Sequence, residues 1–240
     1  MRVRMTLSYD GAYFFGFQSQ KTYHNTVIDS LKIALKSLGI DSNLIGAGRT
    51  DRGVHAINQT ISFDVPNFWS DLLKLQNELN RKLKHIKIKK IIPTNDNFHA
   101  RFDAKKRDYL YIFKAHPLNV FEQNYIGFYN EFDMQKLKSA LEIFKGEYDF
   151  KLFCKADESQ TNTICTIYQT RYKKYKNYHI IKISANRFLR SQVRLMVETC
   201  MKYATNQLSM EMLKEQLGCH KKHSNSLASP NGLYLSKVYY

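Results

Sequence analysis

The 240-residue chain is short of several things that would otherwise set its class. Four prolines and ten glycines exclude collagen-like and low-complexity architectures. The four cysteines, Cys154, Cys165, Cys200 and Cys219, form no C-x-x-C pair, and no histidine spacing completes a zinc signature. The eight histidines are dispersed and there is no carboxylate cluster, so a structural or catalytic metal is not expected. No segment approaches the roughly 18 apolar residues of a membrane span. The start, Met1-Arg2-Val3-Arg4-Met5, alternates like a strand and lacks the apolar core of an export signal. Scattered thiols without such a signal lead to the expectation of a reduced, cytoplasmic protein. Acidic residues are scarce beside their counterparts, 21 against 37 Lys plus Arg, which leaves a net charge of +16.

That surplus points to a polyanionic partner. There are also 16 Tyr and 15 Phe, and aromatic stacking combined with phosphate neutralisation is a common way to hold RNA. A Lys-rich surface over an aromatic core is the plainer alternative.

The hydrophobic periodicity alternates between strand and helix. Arg2–Tyr9 places Val3, Met5 and Leu7 on one strand face. Asp10-Gly11 is a turn signal. From Thr26 to Leu38 a helical stripe holds Val27, Leu31, Ala34, Leu35 and Leu38, with Thr26 and Asp29 in capping positions and Gly39 as the stop. A strand over 56–65, a helix over 70–83 and a strand from Ile86 to Ile92 complete a β-α-β-α-β unit of ferredoxin-like type. A comparable pattern follows: a strand over 108–115, a helix over 133–145, a hairpin of 164–172 with 178–184, a helix over 188–204 and a closing strand over 232–239. The expected fold class is α+β. Two ferredoxin-like halves, 1–104 and 105–240, have antiparallel sheets joined into one extended sheet with helices on one face.

Three segments concentrate chemistry. The run from Gly46 to Ala56 packs three glycines, Arg49, Arg52, Asp51 and His55 into eleven residues between two strands. Glycines let a backbone approach a ligand closely, and flanking arginines favour an ionised Asp51. A basic turn with one structural ion pair is the bland alternative. The second segment is Phe98-His99-Ala100-Arg101-Phe102 with Lys105-Lys106-Arg107-Asp108-Tyr109-Leu110-Tyr111, where cations interleave with rings. Tyr109 and Tyr111 share a strand face, and Tyr111 is read as core. In the third, Arg187, Arg190 and Arg194 at i, i+3 and i+7 fall on one face of the helix expected from Phe188.

The residues 48–55, Gly-Arg-Thr-Asp-Arg-Gly-Val-His, resemble the active-site motif of the TruA family of tRNA pseudouridine synthases. Tyr9-Asp10-Gly11 with Tyr13, Gly16 and Gln18 is similar to that family's start, with Phe17 where Trp is usual. Phe98–Phe102 with Arg107 and Tyr109, Asn186–Arg190 with Val193-Arg194, and the ending from Ala228 to Tyr240 fit in order. The resemblance therefore covers essentially the whole chain.

The resemblance implies isomerisation of uridine to pseudouridine at positions 38, 39 and 40 of the tRNA anticodon stem-loop. It implies a homodimer using no cofactor or metal. By the same carry-over, Asp51 is the catalytic nucleophile or takes a ribose proton, Arg194 is its ion-pair partner, and Tyr109 stacks on the target uracil. Arg49, Arg52, His55, Arg101, Arg107, Arg187 and Arg190 join Tyr109 in binding substrate. The basic run Arg81–Lys90 is either a phosphate contact or a solvated surface. The competing class is a non-catalytic RNA-binding or chaperone module on the same scaffold. A basic nuclease is disfavoured because no carboxylate or histidine pair is evident.

Overall fold

The computed structural model describes all residues except 21, 23, 24 and 156–161. The strands are β1 (Arg2–Tyr9), β2 (Ile45–Gly46), β3 (His55–Asp64), β4 (Ile86–Pro93), β5 (Lys106–Lys114), β6 (Gly127–Phe128), β7 (Gly146–Asp149), β8 (Ile164–Tyr175), β9 (Tyr178–Ala185) and β10 (Leu233–Tyr239). The helices are α1 (Val27–Lys36), α2 (Leu72–Lys82), α3 (Met134–Glu142), α4 (Gln192–Ala204) and α5 (Met210–Leu217). The fold class is α+β, with mostly antiparallel strand pairing. Two compact units form: Met1–Lys105 with Tyr234–Tyr240, and Lys106–Leu233. The closing strand, read from sequence as part of the second half, thus returns to the first unit over Tyr234–Tyr240.

In the first unit the strand order is β4-β1-β3, with β2 and β10 both on the outer edge of β3. β2 lies antiparallel opposite Ile61 and Ser62, and β10 lies parallel opposite His55 and Ala56. The order β4-β1-β3-β2 is that of a ferredoxin-like unit. β1 alternates as expected, with Val3, Met5 and Leu7 fully buried. α1 buries Val27, Ile28, Leu31, Ala34 and Leu35. Its start is fixed by a reciprocal cap. Thr26 Oγ1 accepts the Asp29 N–H at 3.2 Å and donates to Asp29 Oδ2 at 2.6 Å. Ser19 Oγ donates to the other carboxylate oxygen at 2.5 Å, tying the preceding loop to the same cap.

In the second unit β7, β8 and β9 form an antiparallel meander, and β5 adds antiparallel to β9. The hairpin turn is tighter than expected. β8 runs on to Tyr175, and only Lys176 and Asn177 lie between the strands, with Lys176 in the left-handed region at φ 53°. The core is aromatic, including Tyr111, Phe113, Phe144, Phe150 and Phe153, all nearly or fully buried. Tyr111 is thus core, as read.

The helix placed from Phe188 begins at Gln192. Ser191 sits at φ 60°, a conformation no helix accommodates. The fully buried Gln192 turns its Oε1 back to accept the Leu189 N–H at 2.8 Å, closing a turn that replaces the expected first helical turn. Upstream, Asn186 Oδ1 accepts the N–H groups of Thr166 at 3.0 Å and Arg187 at 2.7 Å, so strand contacts pin the backbone. Arg187 and Arg190 therefore precede the helix, and the three arginines do not share a helical face.

Thr26→Ala removes both hydrogen bonds of the α1 cap. Urea unfolding is expected to show a loss of about 1–2 kcal/mol, the upper range for a lost cap, whereas Thr26→Ser should lose less than half of that.

Candidate active site

The Asp51 loop leaves β2 at Gly46 and enters β3 at His55. The segment 10–17 fixes it from one side. The Phe17 N–H donates to the Thr50 carbonyl at 3.1 Å. The buried Tyr9 and Thr50 hydroxyls share a 2.7 Å hydrogen bond. Burial pushes the Tyr9 phenol well above its ordinary pKa, with hydrogen bonds to Thr50 and Gln59 offsetting part of that, so it is neutral at physiological pH. Two glycines permit the close approach. A Cβ on Gly11 would lie 2.1 Å from the Val54 carbonyl oxygen. Gly16, at φ +102°, would place one 3.0 Å from the Thr50 carbonyl oxygen.

The loop also has an internal frame. The Val54 N–H donates to the Asp51 carbonyl at 3.1 Å, and Gly53 takes φ 79° in that turn. The Gln59 amide donates to the Gly48 carbonyl at 2.8 Å, and the Ala47 N–H to the Thr60 carbonyl at 2.8 Å. Thr50 is buried, Asp51 half-buried, and Arg49 and Arg52 exposed. The Arg52 guanidinium lies 4.4 Å from the Phe15 ring centroid, a cation–π contact.

His55, expected to bind substrate, is only 3% exposed. Its Nδ1 accepts the Gly11 N–H at 3.0 Å, which puts the ring proton of the neutral form on Nε2. The Asp10 carboxylate lies 3.3 Å from the same nitrogen. The ring stacks on Tyr234 of β10 at 4.7 Å and 19°. A ring so enclosed holds the turn in place and offers no face to RNA. Arg101, by contrast, is exposed, with its guanidinium 5.6 Å from the exposed Phe102 ring.

In the second unit Tyr109 is 8% exposed, and Phe188 meets its ring edge-to-face at 5.1 Å. Arg107, also expected to bind substrate, is buried and donates to the Asn186 carbonyl at 2.7 Å. It braces the 186–191 turn from inside and is not a surface contact. Arg194 is half-buried on the first turn of α4 and donates through Nε to the Ala228 carbonyl at 2.7 Å, which fixes the guanidinium plane. Arg187 donates to the Asn162 carbonyl, and Arg190 is exposed. Asn186 and Phe188 were not singled out in the sequence for these roles. Their only signal was their place inside the Asn186–Arg190 motif. Among the described residues, no group of three or more His, Cys, Asp and Glu is arranged to hold a metal ion, and no helix is long and apolar enough to cross a membrane.

The model of a family described as tRNA pseudouridine synthase matches residues 5–103 and 140–240. The chain belongs to the tRNA pseudouridine synthase family. With that family comes an isomerase reaction, uridine to pseudouridine in tRNA. The relatives are full-length. "tRNA pseudouridine synthase A" of Campylobacter jejuni is 40% identical over 242 residues, covering 100% of both chains. Proteins of the same description from Helicobacter pylori and Wolinella succinogenes are 39% and 37% identical, covering 99% and 97% of this chain and 98% and 92% of theirs. Among solved structures, the archaeal box H/ACA sRNP Nop10-Cbf5 complex aligns with 83% of this chain and 43% of its own at 7% identity. The TM-score of that alignment is 0.38. In the family's terms, Asp51 lies within the motif-bearing loop just described.

Tyr9→Phe removes one hydroxyl and leaves Thr50 Oγ1 buried without that partner. Unfolding free energy is expected to fall by about 1–2 kcal/mol, and tRNA isomerisation to drop more than tRNA affinity because the loop carrying Asp51 loosens. Parallel urea titrations, filter binding and turnover measure the three quantities.

Proposed function

We propose that the chain isomerises uridine to pseudouridine at positions 38, 39 and 40 of the tRNA anticodon stem-loop. On this reading it acts as a cytoplasmic homodimer without metal or cofactor, and Asp51 is the reacting carboxylate. The observation carrying the reading is the Asp51 loop. Thr50 is anchored by two buried hydrogen bonds, while the next residue remains half exposed to meet a ligand.

The reaction breaks the C1′–N1 bond of a uridine and forms C1′–C5. N1 gains a proton, C5 loses one, and nothing is consumed. Positive charge grows on the ribose as the first bond breaks, so a fixed carboxylate beside it lowers the barrier. Asp51 supplies that charge, by attack on the sugar or by removal of a ribose proton. Arg194 is assigned as the ion-pair partner of Asp51, on the strength of the family motif and of a guanidinium already oriented by the Ala228 carbonyl. Tyr109 is assigned to stack on the extruded uracil, its ring orientation set by Phe188. Extruding a base costs a few kcal/mol, and an aromatic stack returns about 1–3 kcal/mol. The exposed Arg49, Arg52, Arg101 and Arg190, with Arg187, are assigned to the RNA backbone and stem.

Tritium release from tRNA labelled at uracil C5 tests the reading. Wild type is expected to release tritium, while Asp51→Asn binds tRNA within a few-fold of wild type and releases none. Residual turnover above a few per cent in Asp51→Asn, or intact binding with no release by wild type, would overturn it. The latter result would leave the RNA-binding module. Arg194→Ala is expected to lose turnover and some stability, and normal turnover in that variant refutes its pairing with Asp51.

A further inference from the structure

The strip Arg81–Lys90 is not used by the groups described so far. It carries Arg81, Lys82, Lys84, Lys87, Lys89 and Lys90, all exposed, and no acidic residue. Arg81 pairs with Glu78 at 2.7 Å, and Lys89 donates to Asn58 Oδ1 at 3.1 Å. The side chains of Lys82, Lys84, Lys87 and Lys90 extend into solvent.

His85 sits in the middle of this strip, exposed and in the left-handed region at φ 62°. Its carbonyl accepts the Asp10 N–H at 3.0 Å, which holds the residue in that conformation. Its ring lies flat against Tyr13, with centroids 3.5 Å apart and planes within 11°. Tyr13 is 50% exposed even though His85 covers one of its ring faces, so the remaining surface is open. Its backbone is tied down by Asn25, whose amide donates to the Tyr13 carbonyl at 2.8 Å. A single exposed tyrosine needs no explanation. A tyrosine stacked on a histidine in a sparsely allowed conformation, that histidine flanked in the chain by exposed lysines, is a built surface.

Its place in the chain says what it serves. Tyr13 belongs to the segment that clamps the Asp51 loop, through Gly11 at Val54, Phe15 under Arg52 and Gly16 at Thr50. A flat open ring on a segment of such charge fits an unpaired base with its phosphates, because stacked bases of a duplex offer no free face.

We infer that Tyr13 and His85 form a stacking platform for an unpaired loop base of the RNA substrate, distinct from the reacting uridine, with Lys82, Lys84, Lys87 and Lys90 on the adjoining phosphates. The inference rests on the proposed function in taking that RNA to be a tRNA anticodon stem-loop. Binding and turnover separate the two claims.

The test uses anticodon stem-loops carrying 2-aminopurine at successive loop positions, together with unmodified tRNA. Wild type is expected to quench the probe at one loop position outside the reacting site. Tyr13→Ala should abolish that quenching and weaken binding roughly tenfold, as loss of one stack does. Tyr13→Phe should stay within about twofold on both readouts. Lys84→Ala with Lys87→Ala should reduce the slope of log Kd against log salt by about 1.4, the share of two single-strand phosphate contacts. No quenching at any position, or a folded Tyr13→Ala with unchanged quenching and Kd, overturns the platform whatever the turnover. Quenching and affinity behaving as expected while wild type releases no tritium leaves the platform standing and overturns the isomerase reading. Absence of any RNA binding by wild type overturns both.

Discussion

The buried hydrogen bond between Tyr9 and Thr50 is the constraint on which the placement of the Asp51 loop depends. Tyr9 ends β1 and Thr50 precedes Asp51, so one 2.7 Å contact ties the frame of the sheet to the residue beside the carboxylate. A phenol is uncharged across the physiological pH range, and burial raises the pKa of this one further, so the bond persists there. Everything else on that side serves the same approach. Gly11 and Gly16 remove the atoms that would keep the 10–17 segment away, and Phe17 returns a backbone bond to the Thr50 carbonyl. A carboxylate on a loosely held loop would be free to turn toward solvent. Here its neighbours on both sides are fixed first.

The second unit achieves rigidity with a different device. Buried Arg107 and the side chain of Asn186 hold the 186–191 turn against β8 and β5, and the left-handed Ser191 launches α4 only afterwards. The guanidinium of Arg194 is therefore presented by the first turn of a helix whose start is fixed, with the Ala228 carbonyl setting its plane. Burial of Arg107 and His55 shows how a basic motif divides its labour. Some of its charged and titratable members brace the loops that the exposed ones occupy.

Much of this was legible in the sequence, and the exceptions share a cause. β1 and the Thr26–Asp29 cap were readable because each depends on residues close in the chain. The Asp51 loop was readable because its composition is unusual for a structural turn. The late start of α4 was not, since the apolar stripe continues back through Leu189 while tertiary hydrogen bonds to Asn186 and Gln192 decide the conformation. β7 was missed because Gly-Glu-Tyr-Asp is exposed throughout and has no alternating pattern. The burial of His55 follows from its contact with Tyr234, a neighbour that no local pattern reveals.

The return of β10 to the first unit has a consequence for the order of events at the ribosome. β3 opens on its motif-bearing side at His55 and Ala56, and the partners there are Tyr234 and Leu235. Asn58 likewise donates to the Ser236 carbonyl across 178 residues of chain. Translation therefore delivers the Asp51 loop long before the strand that closes beside it. Closing so long a loop is slow and is left until late. Residues 1–105 must wait with one strand edge uncovered while the whole second unit is made. The start of β3 gains its Tyr234 and Leu235 neighbours only after that long stretch of synthesis, although the Thr50 side of the loop is already held by Tyr9 and Phe17.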